Sequence, residues 1–221
     1  RVYGNAEWRA TPDLLVNLGA MWEDNDITAA DISPRVALNY RLRQGHTVRV
    51  SLSRATRTPV LLEQQADEVF QVGPIVDRVL FSSGGLRSER IQAIELGYLG
   101  QWLDNRLAVD ARVHRDEVED LIMQTRRIAL PPSLDNVDGA RDFRNAGDLT
   151  LTGFETQVKF TPGPGLRLIG NYSYLQLRAG DFNGGDGLRL GDFAALSEAM
   201  PKHNFGLLAI ARFNEQLQGS L

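Results

Sequence analysis

Four oxygen ligands crowd into GDFNGGDGLRLGD, Gly180 to Asp192: Asp181, Asn183, Asp186 and Asp192. Carboxylates and amides at that spacing suggest calcium, a hard cation that takes about six to eight oxygens. The stretch departs from the calcium-loop pattern, because Gly185 stands where the third ligand belongs and no glutamate closes the loop. It reads instead as a solvated surface loop built from turn formers, and DNVDGARD, Asp135 to Asp142, reads the same way. His46, His114 and His203 fall in separate elements with no ligand spacing, so no zinc site is expected. There is no nucleophile elbow, phosphate-binding loop or dinucleotide fingerprint. Asn171-Tyr172-Ser173 matches a glycosylation sequon but falls inside a strand pattern, where chance explains it. The residues of catalysis are missing; neither an enzyme nor a resident cofactor is expected.

What remains is charge placed at every second position. Arg35, Arg41, Arg49, Glu95, Asp110, Arg112, Glu155, Lys159, Arg167 and Arg212 alternate with apolar neighbours. LAVDARVH, Leu107 to His114, is the plainest case: Leu107, Val109, Ala111 and Val113 share one face, with Asp110 and Arg112 on the other. LLVNLGAMW, RVALNYRL, VRVSLS, IELGYLGQW, FETQVKF, LRLIGNYSY and FGLLAIARF repeat the pattern. Period two is the strand signature, and about nine strands result, with a tenth starting near Leu217. The charged face must see water, as either the outside of a sandwich or the lumen of a wide barrel.

Composition narrows the class. The chain has 221 residues, a net charge of -4, no cysteine, 43% hydrophobic and 24% charged residues, which suits a folded protein without disulfides. Mild acidity without basic clusters excludes nucleic acid as a partner. No apolar run approaches the roughly 18 residues of a spanning helix. A membrane β-barrel stays open, since its signal per strand is far weaker.

The connections alternate in length. Tight turns are expected at Thr11–Asp13, Arg43–His46, Asp104–Arg106 and Pro162–Gly165, whose Pro, Gly, Asn and Asp suit turn geometry. One short connection lies around Glu23 to Asp31, and long structureless loops are expected over Pro59–Ser88, Met123–Gly147 and Arg178–Met200. In an up-and-down sheet this puts turns at one end and long loops at the other, the build of outer-membrane barrels. Trp8, Trp22, Tyr40, Trp102, Phe160, Tyr172, Tyr174 and Phe213 fall on the apolar face, mostly near strand ends, where amphipathic rings meet headgroups.

Five stretches then resemble, in order and spacing, the barrel strands of a TonB-dependent outer-membrane receptor. They are SPRVALNYRL, TVRVSLSRATRTPVLLEQ, SERIQAIELGYLGQWLDNRLAVDARVHRDEVEDLI, GFETQVKFTPGPGLRLIGNYSYL and MPKHNFGLLAIARF. The most specific pieces are Ser53-Arg54-Ala55 with Arg57 and Pro59, Glu89-Arg90-Ile91 leading to Glu95-Leu96-Gly97-Tyr98, and Gly153-Phe154-Glu155. The likeness spans about Glu7 to Phe213.

The resemblance implies an all-β, antiparallel up-and-down transmembrane barrel, of which residues 1–221 supply about nine to ten strands out of about 22. It implies a plug domain and closing strands beyond the chain, a bacterial outer-membrane location, lipid around the wall and a TonB partner reached through the plug. The transported small molecule would be an iron–siderophore, cobalamin or similar scarce bulky ligand. Arg57, Glu95, Arg112, Arg126, Arg127, Arg167, Asp181 and Phe182 are the expected ligand contacts at rim and lumen. A soluble all-β binding or structural domain, a passive porin or outer-membrane enzyme barrel, and a complete ten-strand barrel remain as alternatives at this stage.

Overall fold

The computed structural model describes residues 1–126, 139–182, 195–196 and 198–221. Ten strands form one antiparallel sheet in which neighbours in space are neighbours along the wall: β1 (Val2–Arg9), β2 (Leu14–Glu23), β3 (Asp31–Arg43), β4 (His46–Arg57), β7 (Glu89–Trp102), β8 (Leu107–Gln124), β9 (Phe143–Gly163), β10 (Leu166–Phe182), β11 (His203–Arg212) and β12 (Gln218–Ser220). Between β4 and β7 lie a helix, α1 (Leu61–Gln65), and a separate hairpin of β5 (Asp67–Val72) and β6 (Ile75–Phe81). The turns fall where Pro, Gly, Asn and Asp predict them. Gly45 adopts φ 77, Asp104 φ 54 and Asn105 φ 67, backbone states that these residue types tolerate best.

Burial decides between sandwich and barrel. Leu18 is 48% exposed, Leu52 49%, Ile94 50% and Leu96 49%, all on the apolar face. On the opposite face Asn17, Ser51, Ala93 and Glu95 are half-buried, and Gly97 is buried. The polar face is therefore the sheltered inside of a curved wall, and the apolar face looks out. Among the described residues no second sheet covers it, since the β5–β6 hairpin has only two strands. So large an apolar surface would be costly in water, and hydrocarbon is its natural partner. The sandwich is excluded.

Two aromatic groups mark the edges of the apolar band. At the tight-turn end, His46 Nδ1 meets the Tyr98 hydroxyl at 2.7 Å, and the His46 and Trp102 rings cross edge-on at 5.0 Å. Gly100 makes room for them: a Cβ there would sit 2.4 Å from the Trp102 ring and 2.6 Å from the Tyr98 hydroxyl. At the other end Phe154, Tyr172, Tyr174 and His203 cluster, with the Tyr172 hydroxyl 2.9 Å from His203 Nδ1.

Above this second group the faces exchange character. Val113, Phe154 and Tyr174 are paired across β8, β9 and β10 and point outward. Two residues further up, the outward row is Arg115, Thr152 and Gln176, followed by Glu117, Thr150 and Arg178. The inward row there includes Leu149, Leu151 and Leu177, packed with Val118, Leu121 and Met123 around the buried pair Ala146 and Leu149. These strands have 18, 21 and 17 residues, whereas a tilted membrane strand needs about 9–11. They overrun the bilayer. Once outside, polar side chains face outward to water and apolar ones pack inward.

Three expectations therefore need correcting. The Met123–Gly147 connection begins later and ends earlier than expected, because β8 runs to Gln124 and β9 starts at Phe143, and the Arg178–Met200 connection is displaced to begin after Phe182 and end before His203. The bulge between Val118 and Leu121, with Asp120 at φ 57, breaks the alternation that would have revealed the extension. The Pro59–Ser88 connection holds α1 and the β5–β6 hairpin rather than being structureless. DNVDGARD does not end as a solvated loop: Ala140 is 0% exposed and Asp142 2%. Asn183, Asp186 and Asp192 of the acidic stretch lie outside the described residues.

A lipid-phase quencher tests the orientation. In the full-length protein in bilayers, a fluorophore at position 109 or 111 should be quenched by lipids brominated along the chain. Probes at 110, 112 and 117 should be spared, and equal quenching at all five sites would refute the assignment of faces. Val109→Arg should destabilise the folded barrel by about 2–4 kcal/mol.

Candidate functional site

The inward face carries a ladder of alternating charge across four strands. Arg49 on β4 donates to Glu95 on β7 through a short contact. The other carboxylate oxygen of Glu95 lies 3.7 Å from Arg112 on β8. Arg112 in turn donates from Nε to Glu155 on β9 at 2.9 Å. The row continues in neutral groups, with Gln157 Nε2 donating to Asn171 Oδ1 at 2.8 Å between β9 and β10. Strand geometry produces this: Arg112 lies directly opposite Glu155 and Gln157 opposite Asn171, while Arg49 and Arg112 both oppose Gly97 and meet Glu95 diagonally, two residues along the same inward row. Arg49, Arg112, Glu155, Gln157 and Asn171 line a groove with a volume of about 610 Å³, beside Asn39, Asp110 and Ser173. It is a polar, hydrogen-bonding channel wall. Among the described residues no three acidic or histidine side chains converge to hold a metal ion.

A second cluster stands at the end of the long connections. Arg57 donates from Nε to Glu89 Oε2 at 2.5 Å and from Nη1 to Glu63 Oε2 at 3.1 Å. Glu89 also accepts the Ile122 amide at 2.7 Å, and Glu63 accepts the Val60 amide at 2.9 Å. One guanidinium thus joins the top of β4 to α1, β7 and β8. Asp120 accepts from Arg87 Nε at 3.0 Å, and this hydrogen bond raises the pKa of the Arg87 guanidinium above its ordinary value.

These features belong to a recognised architecture. The family model described as TonB dependent receptor-like, beta-barrel matches residues 1–220. The chain belongs to the TonB-dependent receptor β-barrel family. No curated protein sequence matches it. Among solved structures, a mutant of the ferric enterobactin receptor PfeA from Pseudomonas aeruginosa superposes with a TM-score of 0.75 at 16% identity, covering 99% of this chain and 31% of that one. The siderophore receptor PirA from Acinetobacter baumannii gives 0.71 at 18% identity, covering 98% and 31%. The pyoverdine outer membrane receptor FpvA from Pseudomonas aeruginosa, bound to pyoverdine, gives 0.66 at 18%, covering 97% and 28%. The receptor barrel described here spans about a third of the length of these proteins. Its family comprises outer-membrane receptors, not enzymes.

The expected contact residues of this receptor wall separate into groups. Glu95 and Arg112 meet in the lumen ladder. Arg57 is held between two glutamates at the rim. Arg167 lies at the opposite end, exposed, beside the tight turn before β10. Arg126 is exposed beyond β8 and Asp181 is exposed near the end of β10. Phe182 packs into the cluster of Ala146 and Leu149, which gives its ring a packing role. Arg127 lies outside the described residues.

Sequence reasoning missed Glu63, Ser83 and Asp142. For Glu63 the sequence lacks the helix-start signal, because Val60 at the N-cap has no side-chain oxygen and only the return bond from the Val60 amide to Glu63 forms. For Asp142 the small neighbours Gly139 and Ala140 hint at close packing, but nothing local reveals its partner.

Glu95 bridges Arg49 and Arg112, so Glu95→Gln should cost more stability than Arg49→Gln: Arg49 loses its carboxylate, and Arg112 is left with Glu155 alone. With the Arg112 side chain 44% exposed, about 1 kcal/mol at most is expected for the Glu95–Arg112 pair. A double-mutant cycle in urea-induced unfolding of the lipid-embedded protein measures it. Zero coupling between Glu95 and Arg112 would remove the ladder as an energetic unit.

Proposed function

We propose that the chain forms part of the wall of a TonB-dependent active transporter that captures an iron–siderophore complex and admits it through a plugged lumen. The supporting observation is the combination of a family match along the whole chain with a lumen face of paired charges and amides. Such a wall can hold a folded polar domain by hydrogen bonds yet release it, since exposed ion pairs are individually weak. In the full-length protein, plug and remaining strands complete a barrel of about 22 strands, and TonB supplies energy through the plug.

Capture falls to the long-loop end. Arg126 and Asp181 contribute charge there, and the Pro59–Ser88 connection contributes Phe70 at the β5–β6 hairpin; Arg127, outside the described residues, remains a proposed contact by sequence alone. Arg57 and Phe182 shape this surface by holding it, while Glu95 and Arg112 line the path below. Arg167, at the tight-turn end, contacts the plug near the exit.

Cells carrying the full-length protein should accumulate radiolabelled iron supplied as a ferric siderophore. Uptake should cease when TonB is deleted or the proton-motive force collapses. Uptake that continues without TonB would mark a passive pore. Accumulation of cobalamin in place of iron would reassign the cargo.

A further inference from the structure

We infer that Asp142 is the positioning residue that makes two capture-side connections a single body: its carboxylate fastens the hairpin connection between β4 and β7 to the start of β9. The inference rests on the reading of this end as the capture surface.

The carboxylate is 2% exposed and reaches across the fold. Oδ1 accepts the Ser83 amide at 3.0 Å and the Phe143 amide at 2.8 Å, while Oδ2 accepts the Ser83 hydroxyl at 2.6 Å. Arg144 Nε, 3.4 Å from Oδ2, supplies the opposing charge. The backbone of the same residue is fixed too. Its N–H donates to Thr125 Oγ1 at 2.8 Å, and its carbonyl accepts the Thr125 amide at 2.7 Å. Three distant pieces of chain therefore meet on one residue: Ser83 after β6, Thr125 after β8, and Phe143 opening β9.

A backbone joint lies directly beside it. The Phe81 amide donates to the Arg141 carbonyl at 2.9 Å and the Arg141 amide to the Val79 carbonyl at 3.0 Å, an isolated parallel bridge where the strand pairings of the described residues are antiparallel. On its far side Ser82 donates from N to the Ala66 carbonyl and from Oγ to the Leu62 carbonyl, both at 2.8 Å, which carries the fixation on to α1. Leu80, Leu86 and Ala140 are buried around the joint. Only two backbone bonds cross between the segments at the bridge, too few to hold a hairpin by themselves. Asn145 ties the far end of the connection, accepting the Arg87 amide at 3.0 Å and donating to its carbonyl at 3.1 Å; next to the hairpin itself the buried carboxylate supplies the hold, because leaving it without its donors would strand a charge away from water.

The consequence is functional coupling. The hairpin that presents Phe70 cannot shift without dragging the segment that opens β9, so contact with a ligand on either connection is transmitted to the other.

Hydrogen exchange and ligand titration on the full-length protein test this together. In Asp142→Ala, exchange should rise by about tenfold in peptides covering both 66–83 and 139–143, with the wall at 94–100 and 154–160 unchanged. Asp142→Asn keeps an oxygen for the two amides and should restore most of the protection. Acceleration on one side only, in neither segment, or throughout the barrel would overturn the inference. Ferric enterobactin and ferripyoverdine serve as probes. For whichever binds the wild type, Kd should rise about tenfold in the alanine variant and less than about threefold in the asparagine variant. An unchanged Kd despite loosened segments would overturn the positioning role. A wild type that binds neither probe would count against the capture reading, while the exchange measurements still decide whether the joint exists.

Discussion

A backbone amide in hydrocarbon has no water to bond, and every other feature of this wall follows from that constraint. Each strand must lend all its N–H and C=O groups to its neighbours, so the chain runs up and down and returns beside itself. Side chains then alternate between lipid and lumen with no freedom to choose. The register β2 to β11 is continuous through the apolar band, and its irregularities gather beyond it or at the turns, as at Arg41–Arg43, Val118–Leu121 and Ala179–Phe182. Bulges leave a group unpaired, and water must be near to accept it.

The lumen follows from the same alternation. Polar residues pushed inward at every second position would repel one another if they were of one sign. The sequence Arg49, Glu95, Arg112, Glu155 along four successive strands turns that crowding into attraction. None of these contacts is deeply buried, so the ladder stiffens the wall without committing much free energy to it. At the long-connection end the balance is reversed. There the largest fully buried side chain is a carboxylate, Asp142, whose donors come from pieces of chain some sixty residues apart.

The spanning part of the fold was legible because period two survives there without interruption: LAVDARVH reads correctly residue by residue, and so do the turns around Gly45 and Asn105. Legibility failed at Arg115. Its strand continues, but the apolar positions move to the other face, and a reader holding one frame sees only a polar tail. Glu95 and Arg112 could be placed on one face from spacing alone, and their meeting follows from strand order. Arg57 could be noticed but not explained, because its partners Glu63 and Glu89 depend on how a connection of thirty residues folds back. Asp142 was read as solvated for the same reason. Its burial is created by Ser83, and no local pattern links the two.

The exchange of faces between Val113 and Arg115 means that the depth at which this wall floats is encoded as a phase rather than as an amount of hydrophobicity. Strand length does not set it, since β8, β9 and β10 continue well past the edge. Neither does the sheet register, which runs on through the boundary from Val113 to Val118. What sets the waterline is which of two interleaved sets of positions carries the apolar side chains. Exchanging the outward side chains at 115, 152 and 176 would shift the boundary by a pair of residues on β8, β9 and β10. No hydrogen bond of the wall would have to be broken to do it.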